Sequence, residues 1–173
     1  MVYITIKEAV SPAMRKIQKR LKWFLALNIL ALLDTAYLIY LHYKPTATEW
    51  CKFGEKFDCD IVNKSIYAEI FDIPVAVLGF GTYLVLFALA WMVRKKIGST
   101  SALLWFMFGI TAIGVLFSGY LTTIELFVLG AICIFCIVQQ IIILANLGLL
   151  LSILRLSEGH HKTYATAHHP LNP

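Results

Sequence analysis

Four apolar stretches, each about twenty residues long and nearly free of charge, leave this chain few ways to fold. They run from Trp23 to Tyr43, Pro74 to Val93, Ser101 to Leu121 and Gly130 to Leu154. At 1.5 Å of rise per residue, about twenty helical residues cross the ~30 Å hydrocarbon core of a bilayer. A soluble domain carries roughly a quarter charged residues, whereas this one has 14%, with 60% hydrophobic. The expectation is an all-α membrane protein, a four-transmembrane-helix bundle of one compact domain. The stretch from Leu21 to Leu41 is too long for a cleaved signal segment and is retained as a helix.

Basic residues in the short flanks set the expected orientation. Of fifteen lysines and arginines, eleven fall on one side: six before the first span, three between the second and third, two after the fourth. The loop 44–73 holds four lysines against six acids. Both termini are therefore expected in the cytoplasm of a cell (inner or plasma) membrane, with loop 44–73 and the connection 122–129 outside. The net charge of +5 needs no nucleic acid, because a basic flank beside anionic lipid accounts for it. The division is a basic, surface-lying segment 1–22, a catalytic membrane domain 23–154 and a polar cytoplasmic tail 155–173. The tail's His160, His161, His168 and His169 read as a disordered terminus rather than a metal site.

Within this topology all four cysteines reach the outer side, the compartment where disulfides persist. Cys51 and Cys59 lie in the loop, and Cys133 and Cys136 open the fourth span as Cys-Ile-Phe-Cys. A Cys-x-x-Cys at a helix start is exposed to unpaired N–H groups and the positive end of the helix dipole, which favour thiolate. Such a pair closes a small, reducible disulfide. Two static disulfides or a four-thiolate zinc site are the alternatives; redox exchange is the preferred reading, and no metal is expected. The apolar spacing of 61–71 predicts a short helix over the outer end of the bundle, capped by Asp60 or Asn63. Asp34, mid-span, is expected to face the bundle, bonded to a neighbour such as Thr35 or Asn28. Glu125 reads as a solvated loop glutamate, though well placed as a proton donor. Gly109, Gly114, Gly119 and Ser118 suit close helix packing.

Three segments carry a resemblance: Cys59-Asp-Ile-Val-Asn-Lys-Ser65, Ile73-Pro-Val-Ala-Val-Leu-Gly79, and Tyr120 through Cys136. Together they resemble the vitamin K epoxide reductase family, its bacterial and archaeal branch more than its animal one. The likeness implies a four-helix bundle enclosing a quinone of the ubiquinone, menaquinone or vitamin K type, with the outer loop as a cap. It implies that Cys133 and Cys136 are the active pair, with Cys136 nearer the quinone. Cys59 would bond Cys133, and Cys51 would meet an external protein. Ser65, Tyr67, Phe71 and Leu121 match positions that line or cap the pocket. Gln140 and Val75 stand where animal members carry a tyrosine and an asparagine that hydrogen-bond the vitamin K head group. The resemblance therefore does not extend to the epoxide as a substrate.

The function implied is that of a thiol:quinone oxidoreductase re-oxidising a separate thioredoxin-like (DsbA-like) protein outside the cytoplasm. A DsbB-type quinone reductase is a weaker alternative, because there the Cys-x-x-Cys comes in the first outer loop and here the order is reversed. A non-catalytic scaffold with two permanent disulfides is the alternative of another class.

Overall fold

A computed structural model describes residues 2–46, 51–53 and 56–167. Five α-helices dominate it: α1 (Val2–Tyr43), α2 (Cys59–Asn63), α3 (Val75–Lys95), α4 (Thr100–Ile124) and α5 (Ile134–Ala167). All but α2 are long and apolar enough to cross a membrane, over Met14–Tyr43, Val75–Lys95, Thr100–Leu129 and Ile134–Glu158. The protein is an all-α four-helix membrane bundle, with its one long connection placed between α1 and α3.

The helices pack through one stripe each. Leu21, Phe24, Leu25 and Ala31 on α1 meet Leu86, Ala90 and Val93 on α3, Leu104 and Met107 on α4, and Leu150 and Ile153 on α5. Spacings of three and four residues place each set on one helical face. The outward faces keep exposed Leu30, Leu33, Leu84 and Leu116, as lipid contact requires. At the basic end Trp91 lies beneath Arg94 and Lys95, 5.6 and 5.5 Å from its ring centroid. This pairing of indole and cation suits a head-group boundary.

The expected boundaries shift in three places. No break separates a surface segment 1–22 from the first span: Ile17 and Leu21 continue the α1 stripe into the core, and Arg20 donates to the Ser152 carbonyl at 2.9 Å. The 122–129 connection is not a loop. The helix continues through Ile124 into a π-helical turn, Glu125–Leu129, and ends at Gly130 with φ of 61°, a left-handed conformation that glycine adopts without steric cost. The fourth span consequently starts at Ile134 and not Gly130. Its helix also runs on through the polar tail to Ala167.

Of the three glycines expected at helix contacts, Gly114 alone makes a close approach. A Cβ there would lie 2.6 Å from Ile143 Cδ1, whereas one at Gly109 or Gly119 would meet nothing within 4 Å. Alanine is tolerable if the end of Ile143 rotates aside. Gly114→Val is expected to wedge α4 from α5 and to cost about 1–3 kcal/mol, measurable as a lower thermal midpoint in detergent.

The connection between α1 and α3 folds as a cap. Strands β1 (Lys52–Phe53) and β2 (Phe57–Asp58) form one antiparallel pair, and β3 (Glu69–Ile70) and β4 (Ile73–Pro74) another. The helix expected over 61–71 covers only Cys59–Asn63, followed by a 3-10 turn at Ile66–Ala68. Asp58, not Asp60 or Asn63, caps its start, accepting the N–H groups of Asp60 at 2.9 Å and Ile61 at 3.1 Å. Phe71 and Asp72 take φ of 52° and 62°, the positive values a two-residue hairpin turn requires. That turn ends any helix there and leaves Phe71 94% exposed.

Candidate active site

The register of the cap places the cysteines. Lys52 lies opposite Asp58, so the residues just outside that pair, Cys51 and Cys59, face each other, and they form a disulfide. On its other side β2 joins the segment between α4 and α5 through a parallel bridge of Phe57 with Ile132. Ile132 N–H donates to the Lys56 carbonyl at 2.8 Å and its carbonyl accepts from Asp58 N–H at 3.3 Å. The residues following these partners are Cys59 and Cys133. The backbone therefore sets Cys59 between Cys51 and Cys133. Cys51, Cys59 and Cys133 share one buried cluster with Leu38, Val62 and Ala131, and Cys136 packs against it. Cys133 and Cys136 are free thiols.

A cavity of about 520 Å³ opens on the far side of Cys136, within the range of small-molecule sites. Cys136, Gln139 and Ile143 line it from α5, and Ser65, Tyr67, Val75 and Leu121 from the cap, α3 and α4. Of the six expected pocket residues, Phe71 and Gln140 do not line it. Phe71 projects from the hairpin turn. Gln140 is turned toward α4, where its amide oxygen accepts from Ser118 Oγ. The polar group that α5 presents to the cavity is the preceding residue, Gln139, which also donates to the Ala31 carbonyl at 3.1 Å. Asp34 hydrogen-bonds Gln139 and not Thr35 or Asn28, whose side chains bond α1 carbonyls. It faces the bundle, as expected.

The order from one side to the other is thus disulfide, Cys133, Cys136, cavity. A model of the vitamin K epoxide reductase family matches residues 22–151, which takes in all four cysteines, the cap and the cavity wall. The chain belongs to the vitamin K epoxide reductase family. No curated protein matches it closely enough to stand as a relative. Membership makes this multi-pass membrane protein an oxidoreductase.

Local electrostatics distinguish the two thiols. Cys136 donates to the Cys133 sulfur, and with the N–H groups of Cys136 and Phe135 holds the Cys133 thiol below its ordinary range, against burial and the charge of Glu125. The thiolate is the reacting form in exchange, so this environment readies Cys133 for it. Cys133 is also 0% exposed beneath the cap. Cys51, expected to receive that protein, is itself 1% exposed while the loop disulfide is closed. Among the described residues no three cysteine, histidine or carboxylate side chains group as metal ligands would.

Several residues that hold the cap carried little signal in the sequence. His42, at the end of α1, contacts the Asn63 carbonyl at 2.7 Å through Nδ1 and Glu69 Oε1 at 3.1 Å through Nε2. Asn63 Nδ2 donates to the Leu38 carbonyl at 2.8 Å, and Ser65 Oγ to the Val62 carbonyl at 2.9 Å. His42 is the single histidine outside the tail, and its place at a span's end was the one available hint. Asn63→Ala is expected to remove the second hydrogen bond to the Leu38 carbonyl, and with it a tie between cap and α1, at a cost of about 0.5–1.5 kcal/mol. Faster hydrogen exchange across 59–70, with the helices unchanged, is the measurement that checks it.

Proposed function

We propose that this protein is a thiol:quinone oxidoreductase that takes electrons from a reduced thioredoxin-like protein outside the cytoplasm and passes them to a membrane quinone. Cys51 receives the partner and Cys59 exchanges with Cys133. Cys133 and Cys136 then close their own disulfide as the quinone in the cavity is reduced. The observation that carries this reading is the linear order: Cys59 between Cys51 and Cys133, and Cys136 alone of the four on the cavity wall. Electrons entering at the loop have a series of sulfurs to follow by thiol–disulfide exchange. The mainly apolar cavity suits the ring and tail of ubiquinone or menaquinone, bound largely through burial at about 25 cal/mol per Å². Burial of the loop disulfide implies that the segment carrying Cys51 swings outward when a partner attacks.

The direct test is anaerobic mixing of the oxidised protein with a reduced thioredoxin-like protein and a soluble quinone analogue. Quinol should form in step with partner disulfide. Partner that stays reduced while the quinone stays oxidised would refute the reading.

The proposed sidedness is supported by eleven basic residues in the flanks assigned to one side against four on the other. A membrane-impermeant thiol reagent, added to intact cells after reduction, is expected to label Cys51. Labelling only after permeabilisation would reverse the orientation.

A further inference from the structure

Glu125 touches both active thiols and the cavity, and the cysteine series assigns it no task. The π-helical turn after α4 turns its side chain inward, where it is 5% exposed. Its Oε2 accepts the Cys133 N–H at 3.2 Å, and its carboxyl lies within hydrogen-bonding reach of the Cys136 thiol. It also lines the cavity, and among the described lining residues it is the only carboxylic acid. The other polar groups there are hydroxyls and amides such as Ser65, Thr122 and Gln139, which exchange protons poorly near neutral pH. A buried carboxylate is costly in the membrane core unless it has partners and a use.

We propose that Glu125 is a catalytic residue, the proton carrier between the thiols and the quinone. The inference rests on the thiol:quinone reading and accounts for its protons. When Cys133 and Cys136 join, two S–H bonds break, one S–S bond forms, and two electrons with two protons must leave. The quinone takes up two electrons on its ring and one proton on each oxygen. The Cys136 proton passes to the Glu125 carboxylate and from there to one quinone oxygen. The Cys133 proton follows through its hydrogen bond with Cys136, onto the same carboxyl and to the second oxygen. Glu125 ends ionised, as it began, and no outside acid or base is consumed.

A purely structural role is the competing account, since a carboxylate at the start of α5 could simply cap the Cys133 N–H. Glu125→Gln separates the two, because its amide oxygen still accepts that N–H but cannot carry a proton. With full-length protein, dithiothreitol and a short-chain ubiquinone analogue, the rate of quinol formation is followed as pH varies. The wild-type rate is expected to fall at low pH as the carboxylate becomes protonated. Glu125→Gln should be slower by about 10²–10⁴-fold and should lose that limb, while Glu125→Asp keeps the limb at a lower rate. A Glu125→Gln protein with the wild-type rate overturns the proposal, as does one that is slow with the wild-type pH profile. If Glu125→Gln fails to assemble, Glu125→Asp decides, and an acid limb unmoved in that variant counts against the carrier. Wild-type protein that makes no quinol at any pH would defeat the thiol:quinone reading itself, an outcome distinct from any of these.

Discussion

Cys136→Ala protein should form no quinol above background, whether its electrons come from a thioredoxin-like protein or from a small dithiol. Cys136 is the sulfur on the cavity wall, and no other cysteine lines that wall to take its place. Loss of a group that reacts covalently typically lowers turnover by on the order of a thousandfold or more. Cys133→Ala should be as severe, because Cys136 then has no partner with which to form the disulfide. The loop pair should behave differently. Cys51→Ala and Cys59→Ala are expected to lose turnover with a protein donor yet largely retain it with dithiothreitol, which can enter beneath a cap no longer stapled to itself. Steady-state quinol formation with the two donors, measured on all four single variants, gives the comparison. Equal loss in Cys51→Ala and Cys136→Ala with the small dithiol would show that the loop pair belongs to the quinone chemistry.

The same Cys136→Ala protein should accumulate a disulfide between Cys59 and Cys133, with Cys51 free. In turnover Cys59 attacks Cys133 of the closed active pair and Cys136 leaves; in the variant Cys133 reaches the same bond by exchange with the loop disulfide, and Cys136 is not there to draw it off. Attack at Cys59 rather than Cys51 is expected from the strand register. The Asp58 N–H donates to the Ile132 carbonyl, and Cys59 and Cys133 are the residues that follow these two, whereas Cys51 lies beyond Cys59 on the far strand. This bond would tie the cap to the start of α5, so bound quinone should also leave more slowly than from fully reduced protein. Peptide mapping under non-reducing conditions decides the pairing: Cys51 joined to Cys133 would exchange the roles of the two loop residues.

The sequence alone determined the solvent in which this protein folds. Residues 23–43, 74–93, 101–121 and 130–154 contain so few charges that each must satisfy its backbone internally, and only a helix does so in hydrocarbon. Cysteine order, with the segments around Ser65 and Leu121, was enough for the family, because covalent redox chemistry fixes residue type and spacing. Helix length beyond the apolar core was not legible, since polar residues in 1–22 and 155–167 neither require nor forbid a helix outside hydrocarbon.

The cap and the surroundings of Glu125 were decided by tertiary structure. The helical spacing in 61–71 was genuine, but pairing of Ile70 with Ile73 forces positive φ at Phe71 and Asp72, and helical periodicity cannot register a turn made by long-range closure. Gln139 and Gln140 differ by one residue and about 100° of helix rotation. Which of them meets the cavity depended on Ser118 being available to the other. Glu125 is the clearest case. In the sequence it is the lone acid of a short connection between spans, where a solvated side chain costs least. In the structure the helix runs past it into a π-helical turn, and the Cys133 N–H and the Cys136 thiol meet its carboxylate from the next element. A buried charge is tolerated only where partners are supplied from elsewhere in the fold, and no local pattern of residues announces them.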